Sequence, residues 1–370
     1  MNVLVTGAHG FIGKNLIVRL NELDINVATY TRKNSIQDLD GLIKDIDCIV
    51  HLAGENRPKA EKDFDIVNAG LTESICEAVR SSGNKISIIL ASSSQADLNN
   101  AYGKSKLDAE LFAKALEIDT DCPVYVYRLP GVFGKWCKPN YNSVVATFCH
   151  NISHDLPIQV NDPSLELNLV YIDDVVKEFV RIIQMEKDVK NKLSVQPEYK
   201  IKLCDLVDQI KIFKQSRDSL ITERVGSGLV SKLYSTYLSY IPPEQFAYSI
   251  PTYGDERGMF AEMLKTKDSG QFSFFTAGSG VTRGGHYHHS KTEKFLVVKG
   301  KAKFGFRHII SDESYEIVTS SDELKIVETV PGWSHDITNI GKEDIIVMLW
   351  ANEIFNPDNP DTIAHKVRGK

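Results

Sequence analysis

The stretch that decides the fold of the first half of the chain is Thr6-Gly7-Ala8-His9-Gly10-Phe11-Ile12-Gly13, which follows an apolar run and opens an amphipathic one. The first glycine permits a tight turn, the second lets the backbone approach a pyrophosphate, and the third lets a helix pack closely on a strand. The helix N-terminus then stabilises the phosphate charge. In this strand–turn–helix context the glycines predict a dinucleotide-binding fold. The expected cofactor contacts are Gly7, Gly10, Phe11, Ile12 and Gly13.

The rest of the chain predicts two domains. At 370 residues it is long for one compact core. Residues 1 to about 180 alternate short β-branched runs with amphipathic stretches, which is the rhythm of a doubly wound parallel sheet. Residues 200–240 are mostly helical, and 251–356 show short alternating strands separated by Gly and Pro, as in a β-barrel or sandwich. We therefore expect an α/β domain over 1–243 and an all-β domain over 244–370.

Composition excludes several classes of function. A net charge of −6, without a run of Lys or Arg, offers no basic surface for nucleic acid. No apolar stretch approaches the roughly 20 residues that cross a bilayer. The N-terminus reads directly as a strand, and the six scattered cysteines are expected to be reduced thiols. We therefore predict a cytoplasmic protein that binds neither membranes nor nucleic acid.

The residue at the end of the second predicted strand indicates which nicotinamide cofactor binds. NAD-binding versions of the fold carry an acidic residue near this point, where it holds the ribose hydroxyls. This chain has Thr31-Arg32-Lys33-Asn34 instead. Because an Arg can pair with the extra phosphate of NADP, Arg32 predicts NADPH as the cofactor.

A candidate proton-transfer pair follows the strand that ends in Ser92-Ser93-Ser94. Tyr102 and Lys106 lie four residues apart, so that on a helix they share one face. A nearby ammonium favours the phenolate and is expected to lower the pKa of the Tyr hydroxyl.

Together these motifs resemble the extended short-chain dehydrogenase/reductase family of sugar-nucleotide enzymes. The resemblance covers residues 1–240 and rests on TGAHGFIG, HLAG at 51–54, the three serines, YGKSK at 102–106, RLPGVFG at 128–134 and VYIDD at 170–174. It implies that Tyr102 is the proton donor or acceptor, that Lys106 holds the nicotinamide ribose, and that Leu52 and Ala53 contact the cofactor. It also implies that Ser94, with Ser93 as the alternative, hydrogen-bonds the substrate oxygen. Only seven residues separate Ser94 from Tyr102, fewer than is usual in this family.

A second constellation lies in the all-β region and suits a metal. From Gly280 to Gly300 the spacing is G-x5-H-x-H-x4-E-x6-G, and Pro331-Gly332-Trp333-Ser334-His335 follows downstream. Residues i and i+2 of a strand point to the same face, so His286 and His288 can bind one metal ion. Glu293 and His335 would reach the same ion from neighbouring strands. His289 should point to the opposite face. Three imidazoles and one carboxylate suit Zn, Fe, Mn or Ni, and zinc is the metal that we expect.

This spacing matches the first metal motif of the cupin superfamily, and the second motif matches only in part, because no glycine precedes Pro331 at the usual distance. A competing resemblance involves the dTDP-4-keto-6-deoxyhexose epimerases, which are cupins without a metal. It rests on YGDERGMFAE at 253–262 and TRGGHY at 282–287, and it implies that His286 is a base and that Arg257 and Arg283 contact a diphosphate. The metal-free interpretation gives no role to His288, Glu293 and His335. We therefore favour the metal-binding interpretation.

Over its whole length the chain resembles the bifunctional capsular polysaccharide synthesis enzymes. That resemblance implies a UDP-linked 2-acetamido-2,6-dideoxy-4-ketohexose as substrate. The cupin would epimerise C3, and NADPH would then reduce the 4-ketone to a UDP-N-acetyl-L-talosamine-type product on the route to N-acetyl-L-fucosamine. A homodimer is expected, because both parent families pair. Two alternatives remain open: a non-catalytic, sugar-binding or assembly cupin, and an NAD-retaining 4-epimerase or dehydratase.

Overall fold

The structure is a computed structural model that describes residues 1–370 apart from 59, 185–192, 251, 256–257, 262–263, 267–269, 354–357 and 368–370. The chain divides into two compact units, and both are discontinuous in sequence. Unit 1 consists of residues 1–143 and 167–201, and unit 2 consists of residues 144–166 and 202–370.

Unit 1 is built on a five-stranded parallel sheet with strand order β2-β1-β3-β4-β5. Its strands are β1 (Asn2–Thr6), β2 (Asn26–Tyr30), β3 (Cys48–His51), β4 (Ser87–Ser93) and β5 (Val124–Leu129). A smaller sheet has the order β6-β7-β8, with β6 (Gly131–Phe133), β7 (Glu166–Tyr171) and β8 (Glu198–Lys202). The helices are α1 (Phe11–Glu22), α2 (Asp38–Leu42), α3 (Lys62–Phe64), α4 (Leu71–Ser82), α5 (Ala101–Thr120) and α7 (Ile172–Ile183).

The central strands of unit 1 are buried on both faces, as a doubly wound sheet requires. Leu4, Ile49 and Leu90 lie in one core cluster with residues from α4 and α5, and each is at most 2% exposed. Helix α1 packs against α7. This burial explains why the strands are continuous apolar runs in the sequence.

The described residues of unit 2 form the α-helices α6 (Val144–Ser153), α8 (Leu203–Ser219) and α9 (Gly228–Leu238), together with two antiparallel five-stranded sheets. The first sheet has the order β10-β19-β16-β21-β14, with β10 (Ala247–Ser249), β14 (Gln271–Ala277), β16 (Glu293–Lys299), β19 (Lys325–Glu328) and β21 (Ile345–Ala351). The second has the order β18-β17-β20-β15-β22, with β15 (Thr282–Tyr287), β17 (Lys301–His308), β18 (Ser314–Ser320), β20 (Trp333–Asn339) and β22 (Ile363–Ala364). Two small pairs complete the unit: β11 (Thr252–Asp255) with β12 (Gly258–Ala261), and β9 (Ile221–Thr222) with β13 (Lys265–Thr266).

The predicted fold class, an α/β parallel sheet followed by antiparallel β-structure, is confirmed. The two units do not divide the chain at the expected boundary, 243/244. Helices α6, α8 and α9 precede that boundary in sequence but belong to unit 2, together with the β-sheets. The boundary itself, like the specific prediction of a cupin, stays a prediction.

Among the residues that the structure describes, no helix has the length and apolar character needed to span a membrane. The cytoplasmic location and the homodimer stay predictions.

Candidate active sites

The glycine turn has the geometry that its sequence predicts. Gly7 has a φ of +67°, a left-handed conformation that favours glycine, and Gly10 N–H donates to its carbonyl oxygen at 2.8 Å. A Cβ on Gly13 would lie 2.4 Å from the Gly7 carbonyl oxygen, so that only glycine permits this packing of α1 on the turn. Helix α1 begins at Phe11 and points its N-terminus toward the turn. The turn therefore presents backbone N–H groups to a phosphate.

This turn opens onto a cleft of about 1740 Å³ in unit 1, at the carboxyl ends of the parallel strands. Ligands of open α/β sheets bind at this edge. All predicted cofactor and catalytic residues of the first domain line the cleft, namely Gly7, Gly10, Phe11, Ile12, Gly13, Arg32, Leu52, Ala53, Ser93, Ser94, Tyr102 and Lys106.

A buried hydrogen-bond chain fixes the wall that Leu52 and Ala53 form. Their backbone N–H groups donate to Thr6 Oγ1 at 3.1 and 3.0 Å, and Thr6 Oγ1 lies 2.6 Å from His51 Nδ1. His51 Nε2 lies 2.9 Å from Thr72 Oγ1, whose own proton goes to a backbone carbonyl. Burial, helped by the charge of Lys106, lowers the pKa of His51 to about 3. The imidazole is therefore neutral, with its proton on Nε2, and it links Thr6 to Thr72 by hydrogen bonds.

Tyr102 lies in the first turn of α5, and its closest functional neighbour is Ser93. Burial raises the pKa of the Tyr102 hydroxyl, and a hydrogen bond with the Ser93 side chain opposes that rise. Ser93 is 9% exposed and ends β4. Ser94, which the sequence favoured, is exposed and begins a single 3₁₀ turn, Ser94–Asp97. The structure therefore brings Ser93 to Tyr102, and we find no such contact for Ser94.

Lys106 is buried one helical turn beyond Tyr102. Burial lowers the pKa of its ammonium to about 8, and the Glu110 carboxylate one turn further along opposes this. Lys106 Nζ donates to the Ala91 carbonyl oxygen at 3.3 Å, and a Cβ on Gly54 would lie 3.1 Å from Nζ. The expected lowering of the Tyr102 pKa by this ammonium is not seen, because burial of the phenol outweighs other influences.

Asn68 is a residue of this site that the sequence interpretation missed. Its Nδ2 donates to Ser105 Oγ at 2.9 Å, and its Oδ1 accepts from Glu55 N–H at 2.8 Å. Asn68 thus ties α5, next to Lys106, to the loop that follows β3. It lies in a π-helical turn, Asp65–Gly70, a distortion that is frequent at functional sites. That distortion has no sequence signal as plain as the glycines.

Arg32 follows β2 and points its side chain into solvent at the rim of the cleft. Its side chain is 89% exposed, and its guanidinium pairs with Glu55 at 3.1 Å. Glu55 also accepts from the Tyr141 hydroxyl at 3.2 Å. A carboxylate beside Arg32 is a second feature that the sequence did not indicate.

The four predicted metal ligands of unit 2 come together. His286, His288, Glu293 and His335 each offer one ligand atom, and these atoms lie within 4.8 Å of one another. His286 is the penultimate residue of β15, His288 follows that strand, Glu293 begins β16, and His335 lies on β20. A register shift in β15 between Gly284 and His286 pairs His286 with His335. His289 lies outside this group, as expected.

The electrostatics of this cluster fit a cation. Burial and the neighbouring imidazoles lower the pKa of His286 to about 3. Burial alone would raise the pKa of Glu293, but contacts with His288 and His335 hold it well below its ordinary value. Glu293 Oε2 lies 3.1 Å from His288 Nε2 and 3.5 Å from His335 Nε2. Three imidazole nitrogens and a carboxylate oxygen that face one another are the donor set of a divalent metal.

The two arginines of the competing interpretation have different outcomes. Arg283 lies on β15, donates to the Thr276 carbonyl oxygen at 3.3 Å and stacks over Phe275 at 5.1 Å. Arg257 lies outside the described residues. Their predicted role as diphosphate contacts stays a prediction.

Unit 1 has a dinucleotide-binding cleft that contains Ser93, Tyr102 and Lys106, and unit 2 adds antiparallel β-sheets. These features are those of a nicotinamide-dependent enzyme. Residues 3–195 match the NAD dependent epimerase/dehydratase family, and the chain belongs to that family. Membership implies a nicotinamide cofactor. Residues 253–363 match the polysaccharide biosynthesis C-terminal domain.

Relatives of known name match the chain over its full length. It is 56% identical over 368 residues to the UDP-2-acetamido-2,6-beta-L-arabino-hexul-4-ose reductase of Pseudomonas aeruginosa, with 99% of each chain covered. It is 41% identical to the capsular polysaccharide assembling protein CapF of Staphylococcus aureus, with a TM-score of 0.68 over 99% of this chain and 100% of that one. A CapF structure with the inhibitor 3-isopropenyl-tropolone gives 38% identity and a TM-score of 0.63, with the same coverage. The resemblance inferred from the sequence is confirmed.

Proposed function

We propose that this chain is a bifunctional sugar-nucleotide enzyme of capsular polysaccharide synthesis. Its β-region, which is formed by the sheets of unit 2, epimerises C3 of a UDP-2-acetamido-2,6-dideoxy-4-ketohexose. Its dinucleotide unit, which is unit 1, then reduces the 4-ketone to a UDP-N-acetyl-L-talosamine-type product. The observation that carries the reduction is the contact of Ser93 with Tyr102, one turn from buried Lys106, in the cleft behind the glycine turn. The name of the Pseudomonas aeruginosa relative, a 4-ulose reductase, supports the same substrate class.

In the reduction, the residues of unit 1 handle the proton. Because burial keeps the pKa of Tyr102 high, its hydroxyl is protonated at neutral pH and can donate to the oxygen that forms from the ketone. Ser93 Oγ, which accepts from Gln95 N–H at 3.1 Å, is held at the same point and can hydrogen-bond that oxygen. NADPH, when bound, supplies the hydride to the carbonyl carbon.

The choice of NADPH is supported by Arg32 and by its surroundings. The guanidinium lies at the rim of the cleft just after β2, the strand next to β1 and its glycine turn, where the extra phosphate of NADP is expected. Its partner Glu55 leaves most of the side chain exposed, at 89%, so that an incoming phosphate meets an accessible cation.

In the epimerisation, a divalent metal such as zinc would be held by His286, His288, Glu293 and His335, and would supply a Lewis acid that polarises the ketone. The proton on C3 is acidic only while the adjacent C4 is a ketone, because the carbanion delocalises into an enolate. Reduction removes that ketone. The β-region must therefore act before the dinucleotide unit.

Solvent exchange without NADPH tests this proposal. The full chain is incubated with the 4-keto substrate in heavy water, and deuterium at C3 is followed by NMR. We expect incorporation by the parent protein and by Tyr102→Phe, with NADPH oxidation lost in Tyr102→Phe. A chelator and His286→Ala should each suppress exchange.

The outcomes separate the alternatives. Substrate-dependent NADPH oxidation without exchange would make the β-region a non-catalytic, sugar-binding module. Exchange that survives both the chelator and His286→Ala would remove the metal from the mechanism. Tightly bound NAD in the purified protein, without NADPH oxidation, would indicate a 4-epimerase or dehydratase.

A further inference from the structure

The last described segment of the chain, residues 358–367, lies along the metal cluster, and we call it the C-terminal strap. Its strand β22 pairs with β15, so that Ala364 is opposite His286 and Ile363 is opposite Tyr287. His365 N–H donates to the Gly285 carbonyl oxygen at 2.8 Å. The strap therefore pairs with the β-strand that carries His286 and leads into His288.

One residue of the strap, Asp361, holds the loop that joins His288 to Glu293. Its carboxylate accepts three consecutive backbone N–H groups, from His289 at 2.8 Å and from Ser290 and Lys291 at 2.7 Å each. It also accepts the Ser290 hydroxyl at 3.0 Å. These four hydrogen bonds attach the loop to the strap.

The backbone of Asp361 acts on a ligand directly. Its carbonyl oxygen lies 2.5 Å from His288 Nδ1. Because a carbonyl oxygen can only accept, Nδ1 carries the proton of this hydrogen bond, which leaves Nε2 as the ring atom available to a metal. Nε2 is the atom that faces Glu293 Oε2, at 3.1 Å. A second partner that fixes the tautomer and ring orientation of a ligating histidine raises the affinity of the site for its metal.

The two ends of the ligand loop have other supports. Gly332 N–H donates to the His288 carbonyl oxygen at 3.0 Å, and Glu293 N–H donates to Thr329 Oγ1 at 2.9 Å. Thr292 N–H donates to Asn352 Oδ1, also at 2.9 Å. Asp361 therefore holds the middle of the loop, residues 289–291, between these fixed ends.

We infer that Asp361 is a positioning residue of the metal centre: through its carboxylate it sets the loop between His288 and Glu293, and through its carbonyl it sets the tautomer of His288. This inference rests on the metal centre of the proposed function. Under this inference, part of the metal affinity depends on Asp361, which lies some 70 positions after the loop between His288 and Glu293.

Metal binding itself provides the test. The full-length parent, Asp361→Asn and Asp312→Asn are stripped of metal, and the dissociation constant for Zn²⁺ is measured by competition with a chromogenic chelator. The visible spectrum of the Co²⁺ form is recorded as well. Asp312→Asn is the matched control, since its carboxylate is 70% exposed and pairs with Arg307 on β17. We expect about 10- to 100-fold weaker Zn²⁺ binding in Asp361→Asn, with altered Co²⁺ bands, and parental values in Asp312→Asn.

Equal affinity and equal Co²⁺ spectra in Asp361→Asn and the parent would overturn the inference while leaving the metal centre intact. A parent that binds no Zn²⁺ or Co²⁺ would instead overturn the metal centre, and the inference with it. Should Asp361→Asn fail to fold, histidine-labelled parent protein in its metal-free form gives the answer by NMR. The inference requires a proton on His288 Nδ1, with the signal assigned by its loss in His288→Gln, and an Nδ1 without a proton would contradict it.

Discussion

The serines at the end of β4 illustrate how one position along a strand decides a role. Ser93 and Ser94 are adjacent, yet one is buried against Tyr102 and the other is exposed at the start of a 3₁₀ turn. Both residues line the cleft. Only Ser93 interacts with the Tyr102 hydroxyl, so Ser93 is the serine that can share a substrate oxygen with Tyr102.

Substitution of the two serines distinguishes them. Ser93→Ala removes the hydrogen bond to Tyr102, and we expect a fall in kcat/KM for NADPH-dependent reduction of about 10²-fold. Ser94→Ala is the matched control and should stay within a few-fold of the parent. The measurement is NADPH oxidation at subsaturating 4-keto sugar. Equal losses in both variants, or a larger loss in Ser94→Ala, would contradict the assignment.

The pKa of Lys106 predicts how the reduction responds to pH. Because burial lowers this pKa to about 8, the ammonium is present below pH 8 and is lost as the pH rises through that value. The neutral amine no longer stabilises charge on Tyr102 or holds the ribose hydroxyls, so kcat/KM should fall on the alkaline side with a midpoint near pH 8.

Glu110→Gln tests the cause of this profile. The Glu110 carboxylate raises the Lys106 pKa, so its removal should move the alkaline midpoint to lower pH. Asp97→Asn is the control, because Asp97 and Glu110 both pair with Arg128 at 2.8 Å, while Asp97 is not among the groups that shift the Lys106 pKa. An unchanged midpoint in Glu110→Gln, or an equal shift in Asp97→Asn, would show that Lys106 does not set the profile.

At the scale of the element, helix α5 is placed by close contact with the turn before it. The seven residues between Ser94 and Tyr102 contain the 3₁₀ turn and Asn100, whose side-chain oxygen accepts from Gly103 N–H at 2.8 Å as the helix cap. A Cβ on Gly103 would lie 2.4 Å from the Leu98 carbonyl oxygen and 2.5 Å from that of Gln95. The glycine between Tyr102 and Lys106 is therefore what lets a short loop place Tyr102 beside Ser93.

Gly103→Ala should consequently disturb the reductase site. The methyl group meets backbone atoms that cannot rotate away, and overpacking of this kind costs about 1–3 kcal/mol of unfolding free energy. We expect a lower denaturation midpoint for unit 1 and a large loss of NADPH oxidation. Gly41→Ala in α2, where a Cβ meets nothing within 4 Å, is the control and should be neutral or stabilising. Parental stability and activity in Gly103→Ala would contradict this account.

At the scale of the whole molecule, a buried ion pair joins the helices of unit 2 to its β-sheet. Lys294 on β16 and Glu328 on β19 are paired across the sheet, with 2.6 Å between Nζ and Oε1 and both side chains 3% exposed. Arg217 of α8 reaches Glu328 at 3.5 Å, and the Tyr234 hydroxyl of α9 donates to it at the same distance. This network is one reason why helices that precede residue 243 belong to the unit of the β-sheets.

Breaking the pair should destabilise unit 2. Glu328→Gln leaves the Lys294 ammonium buried without its counter-charge, and we expect a loss of about 3 kcal/mol in unfolding free energy. Glu323→Gln is the control, because its ion pair with Lys325 is solvent-exposed and should contribute less than about 1 kcal/mol. Chemical denaturation with the two variants side by side is the measurement, and similar midpoints would refute a structural role for the buried pair.

The sequence by itself determined the glycine turn, the Tyr102–Lys106 spacing and the four-residue metal constellation. These features depend on local geometry: a φ that favours glycine, the helical turn from i to i+4, and the alternation of a strand. The alternation of strands and helices over residues 1–180 and the short strands over residues 251–356 followed from hydrophobic periodicity for the same reason.

Only the tertiary structure decided which serine meets Tyr102 and which asparagine bonds Ser105 beside Lys106. It also decided which helices belong with the β-sheets, and that Asp361 holds the loop between His288 and Glu293. Each of these depends on contacts between residues far apart in the chain, 37 positions for Asn68 and Ser105 and 73 for His288 and Asp361. A carboxylate such as Asp361 looks like any surface residue in the sequence. Its role comes from burial against three backbone N–H groups, which exist only once the chain has folded.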